Sequence, residues 1–350
     1  MRRGWMISWF LLFVGSACRA PAPLNPRAIQ HQRSGVELLA KGDFDAAQAQ
    51  LELALEYNPH YAQAINGLGL LAYRRGRFPQ ATQKFRQAIA VDPDFAEGRN
   101  NLGVMLLKAA RYRDSAQAFR AALAIDPGYV DARFNLALSQ IQLGQMDHAV
   151  HDLTKVVASA PKWVAARAEL ACALVIADRK VAADKHLRIG FRLAKRNVDL
   201  IRCNGQLLRK AGALPQAETT LKRAVQLDPG DGTALFELVV TLSLAKKFAE
   251  ANALLQKLLI RSPHFPEAHF TMGYLLAQLK RKAEAVTALR RALNFRADYP
   301  AAHLLLADLL TAQGDRKQAK RHYAAFVKRV PAQLVFERGR AKRWLAGARN

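Results

Sequence analysis

The stretch AINGLGLLAYRRGRFPQATQKFRQAIAVDP, residues 64–93, encodes two short amphipathic helices and a hard stop. Leu68, Gly69 and Ala72 fall on one face of the first helix. Ala81, Phe85 and Ala88 recur at i, i+4 and i+7 on the second, the spacing of one helical face. Gly76 marks the break between them. Pro79 stands in the first turn of the second helix, where a missing N–H leaves no hydrogen bond unmade. Asp92-Pro93 closes the stretch, because proline cannot continue a helix and pushes the residue before it out of helical geometry.

The same pattern returns every 34 residues. The register of Pro93 reaches Pro59 upstream and Pro127, Pro161, Pro229, Pro263 and Pro331 downstream; only Lys195 and Ala297 interrupt it. Nine units fill residues 28–333 without insertion or deletion. Numbered from the first residue of each unit, slot 20 is alanine except for Ser115, and slot 24 is always large and apolar, from Leu51 to Tyr323. Slot 8 is Gly or Ala except at Val239. Small residues at slots 8 and 20 let the two helices of a unit approach closely, and the bulky residue at slot 24 fills the gap. A single helix pair cannot bury its apolar faces alone, so neighbouring units must stack. The aromatic residues at slot 34 (Tyr61, Phe95, Tyr129, Trp163, Phe265 and Tyr299) read as seals between consecutive units.

On G-x11-A-x3-[FL]-x2-A-x4-P, read at slots 8, 20, 24, 27 and 32, the chain resembles the tetratricopeptide repeat (TPR) family over 306 of its 350 residues. The resemblance implies an all-α fold, a right-handed superhelical solenoid of nine helix-turn-helix repeats, and a binding role in place of chemistry. It further implies a concave face lined by the first helix of each unit, chiefly at slots 2, 5, 6, 9, 12 and 13. In units two to four those slots hold Asn66, Tyr73, Asn100, Asn101, Phe134 and Asn135. Asn101 and Asn135 share slot 6, and a ladder of amides, each both donor and acceptor, suits the backbone of an extended peptide. The alternative is a set of solvated asparagines. Unit six places Arg202, Arg209 and Lys210 on that face, and units seven and eight place Phe236, Phe270 and Tyr274 there. Aromatics and arginine are what binding hot spots use, so an acidic or C-terminal carboxylate ligand with apolar flanks is the expected guest. The lysine-asparagine carboxylate clamp of chaperone-binding TPRs is absent, with Gln32 and Leu70 at the corresponding slots.

The chain carries 53 Lys+Arg against 28 Asp+Glu, a net charge of +25. That balance points either to an anionic partner or to a basic, soluble surface. Local excesses lie at Arg179–Arg196 and at the C-terminus, Arg338–Arg349. The three cysteines, Cys18, Cys172 and Cys203, form no disulfide framework. Cys172 and Cys203 fall on the first helices of adjacent units; helices packed about 8–10 Å apart predict two small buried residues here, with a bridge as the alternative.

Residues 1–18 read as an export signal: Arg2 and Arg3, then the apolar run Trp5–Val14, then small residues and Cys18. The run is too short for an ordinary transmembrane helix. Ser16-Ala17-Cys18 resembles the end of a bacterial lipobox, which implies lipidation of Cys18 and anchorage at the periplasmic face of the outer membrane; Gly15 departs from the pattern. The alternative is cleavage after Ala17 with a free Cys18 and a secreted or periplasmic protein. Residues 19–27, RAPAPLNPR, read as a proline-rich tether, with Asn25 and Pro26 as cap and first-turn proline of the first helix. The fifth unit, residues 164–197, is degenerate, with Gly190 at slot 27 and Lys195 in place of proline; it reads as a drifted pair that still packs, or as a joint. Residues 334–350 are expected to form a basic capping helix.

Neither Gly-x-Ser-x-Gly nor His-Glu-x-x-His occurs, and the helical repeats offer no strand for a Gly-rich phosphate loop to follow. No enzyme, cofactor, metal site or small-molecule substrate is expected. His148 and His151, beside Asp147 and Asp152, read as solvated residues rather than metal ligands; His269 and His303 share slot 4 and read as packing residues. The expected role is a protein–protein scaffold of the bacterial envelope. The lipobox-like start, the tether and the long array resemble outer-membrane TPR lipoproteins of motility machines, the type IV pilus pilotins and the myxobacterial gliding-machinery lipoprotein. Alternatives are an accessory to cell-wall enzymes, with the basic surface on an anionic envelope polymer, and a cytoplasmic nucleic-acid binder.

Overall fold

Close helix pairs follow from the alternation of glycine and bulky residues. At Gly69 an added Cβ would stand 2.6 Å from the Phe85 ring, and at Gly103 it would stand 2.6 Å from Phe119. Phe85 and Phe119 are 1% and 0% exposed. Burying such a ring stabilises by roughly 1.5–3 kcal/mol, and slot 8 must stay small for the ring to enter. The pairing of slots 8 and 24 is thus the packing unit that the periodicity predicts.

The structure, a computed structural model, describes residues 24–330 and 334–347. Among them lie nineteen α-helices and no strand. Two compact units divide the chain between Asn135 and Leu136. The first holds α1 (Pro26–Lys41), α2 (Phe44–Tyr57), α3 (Ala62–Arg74), α4 (Phe78–Val91), α5 (Ala96–Lys108) and α6 (Tyr112–Ile125); the divide falls within α7 (Val130–Gln142). The second continues with α8 (Met146–Ser159), α9 (Val164–Ile176), α10 (Lys180–Leu193), α11 (Val198–Lys210), α12 (Leu214–Leu227), α13 (Gly232–Leu244), α14 (Phe248–Arg261), α15 (Pro266–Gln278), α16 (Lys282–Phe295), α17 (Pro300–Ala312), α18 (Arg316–Arg329) and α19 (Val335–Gly347). Helix α1 takes in Pro26 and Arg27, two residues that the repeat register assigns to the tether, because Asn25 caps it by accepting from Arg27 N at 2.9 Å. Cys18, the export segment and most of the tether lie outside the described residues. No described helix is long and apolar enough to cross a membrane.

Every turn between the two helices of a unit has one residue at positive φ, always at slot 15. Five are glycines, from Gly42 to Gly314; the other four are Ala110, Asp178, Lys246 and Lys280. The left-handed conformation ends the first helix sharply and turns the chain back on itself. Slot 4 supplies a second recurring device. Arg99, Arg133 and Arg167 donate to the carbonyls of Pro93, Pro127 and Pro161, and His269 and His303 bond the carbonyls of Pro263 and Ala297. These side chains satisfy carbonyls that the proline-containing turn leaves without a helical partner. His269 and His303 are therefore packing residues.

The fifth unit packs like the others. Gly190 admits Leu200, whose Cδ2 would lie 2.6 Å from an added Cβ. Tyr61 is sealed among Ala28, Ala54 and Ala64, and Phe95 among Ala62, Ile65 and Ala88. At the other end α19 lays Ala341, Trp344 and Leu345 on Tyr323 and Phe326.

The expectation of two unpaired cysteines is corrected. Cys172 on α9 and Cys203 on α11 form a disulfide, with Cα atoms 5.1 Å apart. Ala168 and Ala171 are 1% and 0% exposed in the same cluster, and with so little side chain there the two inner helices approach more closely than average helix spacing allows.

Candidate protein-binding groove

The asparagine ladder joins repeats to one another. Asn66 Nδ2 donates to Glu97 at 3.0 Å, Asn101 Nδ2 to Asn66 at 2.9 Å, and Asn135 Nδ2 to Asn100 at 3.1 Å. Asn66 and Asn100 are buried. The Tyr129 hydroxyl shares this network: burial pushes its pKa up to about 12, against the pull of its hydrogen bond to Asn100. A chain of amides through α3, α5 and α7 thus holds three inner helices in register. Tyr73 is also engaged, tilted against Phe78 at 5.8 Å with the Lys108 ammonium 5.3 Å from its ring. Phe134, on α7, is half-buried.

The three cations of unit six have intramolecular partners. Arg202 pairs with Asp199 at 3.2 Å and lies close enough to Glu169 to oppose the rise that burial imposes on that carboxyl. Arg209 pairs with Glu237 at 2.6 Å, and Gln206 donates to the same carboxylate. Lys210 Nζ donates to the carbonyls of Val175 at 2.6 Å and Ile176 at 3.1 Å, satisfying the end of α9. These charges tie inner helices together.

Phe236, Phe270 and Tyr274 do meet in one place. They line a groove of about 620 Å³ between α13 and α15. Val240 and Leu244 from α13, Phe248 from α14 and Tyr299 before α17 complete its apolar wall. Phe236 leans on Phe265 at 4.9 Å, and Phe270 on Tyr299 at 5.1 Å, so the rings are held in place. Leu244 is 55% exposed, a large aliphatic side chain left facing solvent. The hydroxyls of Ser243 and Thr271 are bonded back to their own helices. Glu267 pairs with Arg296, whose guanidinium stands 5.2 Å from the Tyr299 ring. Burial and Glu267 push the Tyr299 hydroxyl up to about 12, so it stays protonated at neutral pH. The groove is therefore a mainly apolar trough with an uncharged phenol at one side and the exposed Lys246 among its lining residues, shaped for apolar side chains. Val240, Leu244 and Phe248 escape a sequence reading because an apolar residue in a helical repeat looks like core. Their slots, 9, 13 and 17, carry the signal for the first two, since 9 and 13 are groove slots.

Among the described residues no group of three His, Cys, Asp or Glu is placed to hold a metal. Asp147 pairs with Arg179, and Asp152 accepts from Gln140.

Helix hairpins of constant length, joined by a constant turn and open along their inner helices, define a helical-repeat interaction scaffold. Three family models described as tetratricopeptide repeat match the chain, at residues 33–94 and 66–130, at 106–171 and 242–307, and at 301–332. The chain belongs to the tetratricopeptide repeat family. Among solved structures it is similar to Pseudomonas aeruginosa PilF, at 21% identity over 59% of this chain and 95% of that one, TM-score 0.53. It is similar to PilW, described as a type IV pilus biogenesis factor, at 24% identity over 62% and 99%, TM-score 0.53. The Cut9–Hcn1 structure from the APC/C matches at 14% identity over 92% and 84%, TM-score 0.56. At these identities the likeness is one of fold. No curated protein matches the chain by sequence.

Proposed function

We propose that the chain is a non-enzymatic scaffold of a bacterial cell envelope, holding partner segments in its inner groove and serving the assembly of a motility machine. The observation that carries the binding role is the aromatic groove of α13 and α15, where preorganised rings surround an open apolar trough. Its guest is an extended or helical peptide with at least one large apolar anchor. The acidic guest expected from Arg202, Arg209 and Lys210 is set aside, because those cations already have partners.

The envelope placement rests on two supports. Residues 1–18 have the sequence of an export signal ending at Cys18. The Cys172–Cys203 disulfide suits an oxidising compartment such as the periplasm. PilW, which shares the fold, is described as a type IV pilus biogenesis factor, and the motility part of the proposal follows that description.

The binding role is tested with a library of displayed twelve-residue peptides on purified protein. Selected peptides should share an aromatic or aliphatic anchor, and Phe270→Ala should weaken them tenfold or more while circular dichroism stays unchanged. Binders indifferent to both Phe236→Ala and Phe270→Ala would remove the groove from the account. The anchor is tested separately by the mass of the mature N-terminal peptide; an unmodified Cys18 refutes lipidation and leaves the groove untouched.

A further inference from the structure

The last repeat and its cap have a one-sided charge. Residues 316–347 contain ten Lys or Arg and one acid, Glu337. On α18, Arg316, Lys317, Lys320, Arg321 and Lys328 are exposed, spaced so that most share one helix face. None of the five has a carboxylate partner among the described residues, although Asp315 caps the same helix through Gln318. Nearby cations behave differently: Arg329 pairs with Asp298, Arg340 with Asp308 and Arg281 with Glu284. On α19, which packs against α18, Lys342 and Arg343 are exposed, and Phe336 stands 73% exposed with Leu334 at 42%.

We propose that the outer face of α18, with the exposed side of α19, docks on an anionic phospholipid surface. A row of unpaired cations along one straight helix presents point charges to a plane over about 18 Å, at 1.5 Å per residue. Phe336 and Leu334 offer the apolar side chains that a headgroup layer accepts and that a phosphate backbone alone does not need. A single-stranded nucleic acid would be served by a series of stacking rings, and among the described residues Phe336 is the only exposed aromatic on α18 or α19. This face is separate from the α13–α15 groove, so the chain can lie on a membrane while its groove is occupied.

The test is flotation of the full-length protein with vesicles of phosphatidylcholine alone and with 30% phosphatidylglycerol, at 50 and 500 mM salt. Any contribution of the N-terminal segment is common to both vesicle types, so the readout is the difference between them. Each cation near an anionic leaflet contributes roughly fivefold to partitioning, so Lys317→Glu, Lys320→Glu and Arg321→Glu together should remove a preference of a hundredfold or more. Arg86→Glu, Arg113→Glu and Arg120→Glu, equal in charge change and exposed on α4 and α6, should remove far less. Raised salt should erase the difference between the two vesicles. Equal loss in both variants would reduce the effect to net charge and overturn the assignment, as would equal binding to both vesicle types. Tighter binding of a single-stranded RNA at 150 mM salt than of the anionic vesicles would overturn it in favour of nucleic acid.

Discussion

Arg209 reaches across one repeat to place its guanidinium 2.6 Å from the Glu237 carboxylate, 28 residues further along the chain. Both side chains are largely withdrawn from solvent, at 21% and 15% exposure, and Gln206 braces the same carboxylate. The contact sits on the inner face, where a free arginine would recruit an anionic guest. Glu237→Ala should lower stability by about 1.5–3 kcal/mol, read from urea unfolding, because it strands a partly buried cation. Combined with Arg209→Ala the two losses should fall short of additivity by about 1 kcal/mol; a coupling of zero would mean that the pair contributes nothing.

The Cys172–Cys203 bond closes a loop with a sequence separation of 31 residues. Chain-entropy reasoning for a loop of that size gives about 3–4 kcal/mol. Cys203→Ser should shift the urea midpoint down accordingly and speed amide exchange in α9 and α11. Reductant should do the same to the native protein and nothing further to the variant.

Slots 15 and 8 of the third unit give a paired prediction. Ala110 holds φ at 56°, a conformation that costs an L-residue roughly 1–2 kcal/mol and glycine little. Ala110→Gly should therefore stabilise by up to about 1 kcal/mol once the entropy of the unfolded glycine is included. Gly103→Ala should do the reverse by about 1–3 kcal/mol, since its Cβ would meet three atoms of the Phe119 ring within 2.9 Å. Thermal melts of the two variants should move in opposite directions.

His303 and His322 face each other with Nδ1 atoms 3.0 Å apart. His303 gives its Nε2–H to the Ala297 carbonyl, which leaves its Nδ1 to accept from His322. Burial lowers both pKa values; at His303 the hydrogen bond to Ala297 and the Asp298 charge work against the fall while Arg329 adds to it, and at His322 the charges of His303 and Arg290 add to it. A group whose folded pKa is depressed binds fewer protons folded than unfolded. The stability it contributes is full above the ordinary histidine range, near 6.5, and is lost as pH falls through the folded values. Amide protection factors in α17 and α18, which correct for the intrinsic pH dependence of exchange, should fall between pH 7 and 5 in the native protein. In His322→Gln that fall should be weaker; an unchanged profile would place the pH dependence elsewhere.

Much of this molecule is legible in its sequence because each unit repeats one solution. Gly69 against Phe85 states the packing rule, and a 34-residue register carries it through the chain. What escapes is whatever depends on two units at once. Nothing at Arg209 says that Glu237 faces it, and nothing at Asn101 says that the Asn66 carbonyl accepts its hydrogen bond. The cysteines escape for a related reason: average helix spacing separates them, and the small residues Ala168 and Ala171 bring their helices together. The left-handed turn is written plainly as glycine five times and is hidden at Ala110, Asp178, Lys246 and Lys280, where only the slot number betrays it. In the groove, aromatics announce themselves; Leu244 is marked in the sequence by its slot number alone and in the structure by its exposure.

The disulfide also changes how the chain would bear tension. A pull on its two ends enters at Cys172 and leaves at Cys203, so the backbone between them, with all of α10, carries no force while the bond stands. That segment holds back on the order of 100 Å of contour, at about 3.3–3.6 Å per extended residue. A protein stretched between a membrane and a moving partner would thus yield in its other repeats and keep this hidden length in reserve until a reductant released it.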